Sequence, residues 1–349
     1  MKTELAQSLN LEDWQSWILP DAKYRAAQIN HWVHKKNALS PDEMSDLPLA
    51  MRERLARDFE WPGESMLQSI RFSDADQTAK FSLAFEPNKK IETVWLPYEN
   101  RQSLCVSVQS GCSLDCSFCA TGKMKFTGNL SAGQILLQVY LARRRMNKDV
   151  TNIVFMGMGE PFYNYDNVMK AAHILHSDFG SGISTRRITV STSGVLPGIE
   201  RFVREKQPFK LALSLHSAIP EKRAKIMDIE KKFPMDDIVK FLYDNRNELK
   251  PNQLMIEYIM IKDFNMGSED ADSLFKVAKK LDAKINLIPL NTAFAGMERP
   301  SDSEIDTFWR SIRDRGIVII NRRSPAKDID GACGMLALKE STGHNEPAA

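Results

Sequence analysis

Three of the five cysteines lie close together, within residues 111–119. Cys112, Cys116 and Cys119 form a C-x₃-C-x₂-C loop that directly follows a predicted strand. Three thiolates at this spacing can bind three irons of a [4Fe–4S] cube, and the fourth iron then stays open to chelate the amino and carboxylate groups of S-adenosylmethionine (SAM). An electron passed from the cluster to the sulfonium would break the S–C5′ bond and leave a 5′-deoxyadenosyl radical. The spacing therefore predicts radical chemistry.

A zinc site is the competing interpretation of these cysteines. Zinc usually takes four ligands, often from paired C-x₂-C units. Cys105 could be a fourth ligand, but it lies inside a predicted strand, and the chain has no second C-x₂-C unit. A zinc-bearing RNA-binding protein is therefore the non-enzyme alternative, and analysis for iron and acid-labile sulfide would separate the two.

Glycines and small polar residues follow several other predicted strands. After the second strand, residues 156–161 contain Gly159, which permits close backbone approach, and Glu160, which could accept hydrogen bonds from the SAM ammonium. Three more predicted strands end in such residues, at 191–194, at 214–216 and at Asn291. Because the C-terminal ends of parallel strands meet at one mouth of a barrel, we expect these positions to come together.

The elements that must position these motifs are strands that alternate with amphipathic helices. The strands are predicted at 104–109, 152–156, 187–191, 210–215, 254–261 and 284–289. The helices are predicted at 132–145, 168–176, 236–247 and 269–281. This alternation predicts an α/β fold, a partial (β/α) barrel of about six parallel strands, although periodicity alone does not distinguish it from a closed barrel.

Three regions flank this core, which is predicted to span residues 101–320. Residues 1–60 are predicted to be a small helical domain, either a packing appendage or an accessory domain that holds RNA. Residues 61–100 alternate in strand fashion and break at 86–88, which predicts a β-hairpin leading into the core. Residues 321–349 are predicted to form a C-terminal loop that carries Cys333, with a frayed tail at 341–349.

Composition excludes several classes of protein. The 349 residues are 43% hydrophobic and 26% charged, which is ordinary for a globular protein that can bury a barrel and a small domain. No apolar run approaches the roughly 18 residues of a membrane span, the N-terminus has no signal peptide, and an odd cysteine count argues against a disulfide framework. We therefore expect a cytoplasmic protein. The net charge is only +2, yet local basic clusters permit an RNA-binding surface, at 35–36, 123–125, 143–145, 186–187 and 322–323.

The chain resembles the radical SAM adenine methyltransferases of ribosomal RNA, the RlmN/Cfr family, over nearly its whole length. The strongest stretches are 105–130, 152–161, 191–194, 214–216, 256–263, 285–291 and 328–336. The resemblance implies a SAM-dependent RNA (adenine-C) methyltransferase with a [4Fe–4S] cluster and two SAM molecules per turnover. It also implies an RNA substrate and an electron donor such as flavodoxin or ferredoxin. We expect a monomer without a membrane partner.

The resemblance also assigns roles to residues outside the cluster loop. It implies that Cys333 becomes methylated and delivers the carbon, that Cys105 releases the product through a Cys105–Cys333 disulfide, and that Glu92 accepts the ring proton. SAM contacts are implied for Gly159, Glu160, Ser191, Ser214, Leu215, His216 and Asn291. Since ring carbons C2 and C8 of adenine are electron-poor, they cannot attack the SAM methyl as nucleophiles, and the carbon must arrive as a radical.

The residue pattern supports a pair of catalytic thiols. In the predicted strand 104–109, Cys105 shares a face with Ser107 and Gln109, which suits a thiol that points into the barrel. Cys333 lies among glycine and alanine at 331–334, small residues that would let a loop enter a crowded site. Either cysteine alone would be interpreted as a buried filler or an incidental thiol. Together, as the only cysteines outside the cluster loop, they favour the catalytic pair.

The sequence also bears on the target atom. Residues 159–161 read Gly-Glu-Pro, which is closer to the C2-methylating branch than to the C8 branch, where alanine tends to follow the glutamate. The predicted product is therefore 2-methyladenosine in large-subunit ribosomal RNA, with transfer RNA as a further candidate. C8 methylation of the same adenosine and a radical SAM enzyme acting on another RNA remain alternatives. Departures from the usual family sequence near Cys333, at 123–130 and at Thr292 touch expected RNA contacts and spare the chemistry.

Overall fold

The structure is a computed structural model that describes residues 4–19, 23–291, 296–321, 326 and 328–337. Its strands are β1 (Leu67–Phe72), β2 (Ala79–Glu86), β3 (Lys89–Tyr98), β4 (Arg101–Cys105), β5 (Gln109–Ser110), β6 (Gly128–Asn129), β7 (Asn152–Phe155), β8 (Ile188–Thr192), β9 (Lys210–Ser214), β10 (Leu254–Met260), β11 (Lys284–Pro289) and β12 (Ile319–Asn321). Its α-helices are α1 (Leu11–Trp17), α2 (Tyr24–His34), α3 (Leu49–Asp58), α4 (Ala132–Met146), α5 (Tyr165–His176), α6 (Leu196–Arg204), α7 (Pro220–Ile226), α8 (Met235–Asp244), α9 (Ser268–Lys280) and α10 (Asp302–Arg313). The predicted tail at 341–349 and the basic pair at 322–323 lie outside the described residues.

Ten strands form one mixed sheet in the order β1-β2-β3-β4-β7-β8-β9-β10-β11-β12. The first four are antiparallel neighbours, and from β4 onward each strand is parallel to the next. The predicted α/β class is thereby confirmed, and the arrangement is consistent with a partial barrel. The structure adds a parallel strand, β12, which the sequence did not predict because three residues are too few to establish a strand period.

The sheet has two chemically different faces, because successive side chains of a strand point to opposite sides. The strand register places Cys105, Ser191 and Ser214 on one side, which we call the inner face. The outer face carries apolar side chains such as Leu104 and Leu213, which are buried in one core together with apolar side chains of the helices. Each such side chain stabilises the fold by about 1.5–3 kcal/mol. The helices therefore hold the sheet rigid and leave its inner face for polar groups.

Helices α1–α3 pack around a second, separate apolar core. Helix α1 begins with a capping box in which Asn10 and Asp13 exchange hydrogen bonds with each other's backbone amides. His34 at the end of α2 is buried, and its Nε2 donates to the carbonyl oxygen of Leu9 over 2.7 Å while its Nδ1 accepts from the Tyr140 hydroxyl over 2.6 Å. Burial lowers the pKa of His34 to about 4, so the ring is neutral and fastens the N-terminal helices to α4.

Within the described ranges, none of the helices has the length and apolar character that a membrane span requires. The predicted hairpin of residues 61–100 corresponds to β2 and β3, which turn at residues 87–88. These two strands extend the parallel sheet through β4, so their inner-face residues become part of the surface on which the predicted site lies.

Candidate functional site

A cleft of about 900 Å³, partly open to solvent, lies at the C-terminal ends of the parallel strands. Its walls contain all three cysteines of the C-x₃-C-x₂-C loop. Five of the seven residues predicted to contact SAM line it as well: Gly159, Glu160, Ser191, Ser214 and His216. The fold thus gathers residues from one loop and three strand ends into a single cleft, as the sequence predicted for the mouth of the barrel.

The three clustered cysteines are held by short backbone contacts. The Cys119 amide donates to the Cys116 carbonyl oxygen over 3.1 Å, and the Leu114 amide donates to Cys112 Sγ over 3.4 Å. Burial raises the pKa of Cys112 to about 12 and raises the pKa of Cys116 as well. Both thiols are therefore protonated at neutral pH, and any metal that they bind must displace their protons.

The donor set fits an iron–sulfur cube better than a single ion. Among the residues that the structure describes, no group of three or more His, Cys, Asp or Glu side chains is arranged to hold one metal ion. A [4Fe–4S] cube does not need such convergence, because each cysteine binds a different iron. Cys112, Cys116 and Cys119 would hold the cube at the wall of the cleft that they line.

Glu160 is a buried carboxylate in the wall of the cleft. Its Oε2 accepts from the Ser193 amide over 2.8 Å and from the Ser193 hydroxyl over 2.7 Å, and its Oε1 accepts from the Phe162 amide over 3.0 Å. Burial raises its pKa, since desolvation outweighs these hydrogen bonds. An ammonium group in the cleft would favour the charged form. The preceding Gly159 has a φ of +97°, and a Cβ there would come within 2.4 Å of Gln109.

Glu257 is a site residue that the sequence analysis missed. It is buried, lines the cleft, and its Oε2 accepts from the hydroxyls of Ser191 over 2.9 Å and Ser214 over 3.2 Å. Its Oε1 accepts from Asn286 Nδ2 over 3.3 Å. The network therefore ties the inner-face residues of four adjacent strands, β8 to β11, to one another. A glutamate inside the otherwise apolar strand β10 was the available signal.

His216 lies at the floor of the cleft with a left-handed φ of +58°. Its Nδ1 accepts from the Ile259 amide over 3.2 Å, so the proton is on Nε2. The ring meets Phe118 of the cysteine loop edge-on, with centroids 4.8 Å apart. Burial, assisted by the charge of Arg223, lowers the pKa of His216 to about 3, and the ring offers a neutral N–H donor.

Arg223 of α7 is a second buried residue that the sequence analysis missed. Its guanidinium donates to the carbonyl oxygens of Leu215 and Ser193, at the ends of β9 and β8, and pairs with Glu230. Leu215 itself is not among the residues that line the cleft. Its amide donates to the Glu257 carbonyl oxygen over 3.0 Å, so its backbone is used to fix the strand end.

A second, smaller cavity of about 610 Å³ adjoins the cleft. Cys105 lines it together with Leu96 and Val154, and Cys333 lines it as well. Cys333 also lines the cleft, as does Cys119, so the two spaces share a wall. None of the five cysteines forms a disulfide, so the pairing of Cys105 with Cys333 that the resemblance implies is not formed in this structure.

Residues 326 and 328–337, called here the Cys333 loop, are attached to several parts of the chain. The Cys333 carbonyl oxygen accepts from Asn291 Nδ2 over 2.9 Å, and the Gly334 carbonyl oxygen accepts from the Ala120 amide over 2.8 Å. Asn291 does not line the cleft, but its Oδ1 is buried and accepts no hydrogen bond from the described part of the chain. This orphaned acceptor beside Cys333 is available to a ligand with an N–H or O–H group.

Glu92 lies on the inner face of β3, next to the strand that carries Cys105. It is not among the lining residues of either cavity. Its Oε1 forms a buried ion pair with Lys80 Nζ at 2.9 Å, and its Oε2 accepts from the Ala337 amide over 3.1 Å. Lys80 could not be singled out from the sequence, because its burial depends on a strand register and on a loop that lies 250 positions away in the chain.

Two family models match this chain. The model of the radical SAM superfamily matches residues 106–275, which include the cysteine loop and most of the cleft. The model of the ribosomal RNA large subunit methyltransferase N-terminal domain matches residues 8–60, which contain helices α1–α3. Glu92, Cys105, Asn291 and Cys333 lie outside both matches.

Similar proteins match the chain over nearly its whole length. A protein of Leptospira biflexa named probable dual-specificity RNA methyltransferase RlmN is 42% identical over 340 residues, which are 96% of this chain and 93% of that protein. A protein of the same name from Leptospira interrogans is 41% identical over 323 residues, 92% of this chain and 91% of its own. A solved radical SAM methyltransferase from Sphaerobacter thermophilus is 37% identical, with a TM-score of 0.89 over 96% of this chain and 99% of that one.

Proposed function

Because the chain belongs to the RlmN family of radical SAM RNA methyltransferases, we propose that it transfers a SAM-derived carbon through Cys333 to a ring carbon of an adenosine. The observation that carries this proposal is the position of Cys333 in the wall between two cavities. The three clustered cysteines and the polar strand ends line the cleft, and Cys105 lines the smaller cavity, which Cys119 also reaches. A thiol at this boundary can receive carbon on one side and meet a second thiol on the other.

The cleft residues bind and orient the cofactors in this proposal. When bound, a [4Fe–4S] cluster and SAM supply a carbon-centred radical. Glu160 faces the SAM ammonium in this proposal. Burial raises the pKa of its carboxyl group, and the positive charge of the ammonium would favour the ionised form. Gly159 lets the backbone approach the ligand, and His216 offers a neutral N–H. Asn291, which lies beside Cys333, accepts a hydrogen bond from SAM through its buried Oδ1, an atom that accepts none from the described part of the chain.

Two further hydroxyls and one backbone position complete the proposed SAM site. Ser191 and Ser214 point into the cleft from adjacent strands and share the carboxylate of Glu257. Since that carboxylate accepts their protons, both hydroxyl oxygens keep lone pairs that can accept from a ligand. Leu215 contributes to the site through its backbone amide, which fixes the end of β9 against Glu257. Two SAM molecules are used in each turnover, one for the methyl group and one for the radical.

The three remaining residues act on the RNA in the proposed reaction. The Cys333 sulfur carries the methyl-derived carbon, and that carbon forms the covalent bond to the adenine ring. Glu92 accepts the proton that leaves the substituted ring carbon, and the Cys105 thiolate attacks the Cys333 sulfur. The C–S bond breaks, its electron pair stays on the departing carbon, and that carbon takes up a proton and becomes the methyl group. The methylated RNA leaves, and a Cys105–Cys333 disulfide remains. A thiol reductant must then return both cysteines to the reduced state.

The target is proposed to be C2 of an adenosine in large-subunit ribosomal RNA. The N-terminal domain model named for ribosomal RNA large subunit methyltransferases supports this RNA, and residues 159–161 support C2 over C8. The dual-specificity name of the relatives supports a second substrate, for which transfer RNA is the candidate. We propose that residues 1–60 form an accessory domain that holds the RNA. Flavodoxin or ferredoxin is the proposed electron donor, for a monomeric enzyme in the cytoplasm.

A comparison of two substitutions tests the mechanism. Cys333→Ala should bind cluster and SAM but acquire no methyl group and leave RNA unmodified. Cys105→Ala should react once and stop, because no thiolate remains to attack the Cys333 sulfur. RNA then stays attached to the protein, visible in a denaturing gel as a shifted band that nuclease removes. Both changes delete one small side-chain atom, so both proteins should fold.

Two measurements identify the metal and the product. Anaerobically reconstituted protein should hold about four irons per chain, and Cys116→Ala should lose them; one zinc and no iron would favour the RNA-binding alternative. Nucleoside mass spectrometry of RNA from cells with and without the gene should reveal 2-methyladenosine. A change in 8-methyladenosine instead would move the target to C8. Normal turnover of Cys105→Ala would refute the two-thiol mechanism.

A further inference from the structure

Lys80 is a fully buried lysine in β2 that the proposed reaction does not use. Its side chain and that of Glu92 are each only 2% exposed, and Nζ lies 2.9 Å from Glu92 Oε1. Removing an ammonium and a carboxylate from water costs several kcal/mol per ion, which the ion pair must offset. A hydrophobic pair would fill the same space without that cost. The buried charges therefore point to a specific task.

Both partners of this ion pair contact the Cys333 loop. Lys80 Nζ lies 3.5 Å from the Asp330 carbonyl oxygen, and Glu92 Oε2 accepts from the Ala337 amide over 3.1 Å. Asp330 precedes Cys333 in the chain and Ala337 follows it. One ion pair thus fastens the loop on both sides of the thiol that it carries.

The strand register shows which part of the sheet the ion pair attaches the Cys333 loop to. Lys80 pairs with Val94 across β2 and β3, and Val94 pairs with Cys105 across β3 and β4. In antiparallel strands, directly opposed residues point to the same side, so Lys80 and Cys105 lie in one row on the inner face. The loop that carries Cys333 is therefore anchored to the same row of the sheet that carries the other thiol.

We propose that Lys80 is a positioning residue whose ion pair with Glu92 clamps the Cys333 loop and so holds Cys333 against Cys105. This rests on the proposed function, in which these are the two reacting thiols. It also gives Glu92 a second effect. When its carboxylate takes up the proton from the adenine ring it becomes neutral, and both Lys80 and the Ala337 amide lose their charged partner. Proton transfer then loosens the loop at the step before product release.

The test measures the loop directly, in the reconstituted full-length protein without RNA. Lys80→Met should raise the amide hydrogen-exchange rate of residues 328–337 and the alkylation rate of Cys333 about tenfold. Glu92→Gln, which mimics the protonated carboxylate, should do the same. The double variant should add little, because both changes release one clamp. Lys89→Met in the same hairpin is the matched control, since its ion pair with Glu86, in which the carboxylate side chain is 64% exposed, is far less buried than the Lys80–Glu92 pair.

The outcomes separate the clamp from the proposed function. Unchanged exchange and alkylation in folded Lys80→Met and Glu92→Gln, judged by iron content and thermal unfolding, would overturn the clamp while RNA methylation by the wild type still stands. A looser loop in a protein whose Cys333 never carries a methyl group would support the clamp and refute the function. Should Lys80→Met not fold, Glu92→Gln makes the same test from the other side of the ion pair.

Discussion

The two ends of the chain are attached to the barrel in opposite ways. Helices α1–α3 bring their own apolar core, and buried His34 joins them to Tyr140 of α4 through neutral hydrogen bonds. The described residues of the Cys333 loop form no helix or strand. The loop buries Ala326, Ile329 and Leu336 in the apolar core of the barrel. It is further held by separate polar contacts, to the Lys80–Glu92 ion pair, to Thr121 and to Asn291.

The difference concerns what each attachment can do during a reaction. Burial of apolar surface is non-directional and has no single group whose charge controls it. Polar contacts are directional, and one proton can remove the charge on which several of them depend. The join at His34 is therefore neutral and holds at neutral pH, while the Cys333 loop also depends on a charged pair that one proton can neutralise. The following predictions test this contrast in order of expected effect.

The largest effect is expected for His34→Ala at the N-terminal attachment. The change leaves a cavity and removes the partners of the Tyr140 hydroxyl and the Leu9 carbonyl oxygen, both buried. We expect a loss of about 4 kcal/mol in the free energy of unfolding, measured by urea denaturation. His31→Ala on the exposed side of the same helix is the control and should cost under about 0.5 kcal/mol. Equal losses in the two variants would contradict a fixed attachment through His34.

The next effect is the dependence of stability on pH. The pKa of His34 is about 4 in the folded protein and 6.5 as its ordinary value, so the unfolded chain binds more protons between these limits. Stability is therefore complete above about pH 7 and falls as the pH drops from 6.5 to 4, by at most about 3 kcal/mol. His34→Gln should lack this part of the pH dependence. Parallel pH profiles for the wild type and the variant would refute the neutral histidine.

The smallest effect is expected for Thr121→Val at the other attachment. Thr121 Oγ1 donates to the Leu336 carbonyl oxygen over 2.7 Å, and valine has nearly the same shape without the donor. We expect a loss of about 1 kcal/mol, confined to the Cys333 loop and seen as about fivefold faster hydrogen exchange there. Thr307→Val, which removes an exposed intrahelical contact in α10, is the control. Faster exchange in α1–α3 would show that the two attachments are not independent.

The sequence predicted those parts of the site whose positions are determined by residues close together in the chain. The cysteine loop and the polar strand ends could be predicted, because a motif or a strand period fixes their position. Lys80 and Arg223 could not, since each is a charged residue whose burial depends on a partner in another element. For Glu257 the only signal was a glutamate within an apolar strand. Glu92 was expected only from the family resemblance. β12 was missed for the same reason. A segment as short as Ile319–Asn321 is a strand only through its pairing with β11.

The contacts of the Cys333 loop join segments that are synthesised at different times. Ser73 and Asp328, whose side chains hydrogen-bond over 2.8 Å, are separated by 255 positions, and Thr121 and Leu336 by 215. A ribosome that adds 5–20 residues per second needs roughly 10 to 50 s to cover such a distance. During that interval the hairpin and the cysteine loop have been synthesised while the segment that closes the smaller cavity has not. The chain therefore completes its pair of thiols last, after the cysteines for the cluster have already emerged.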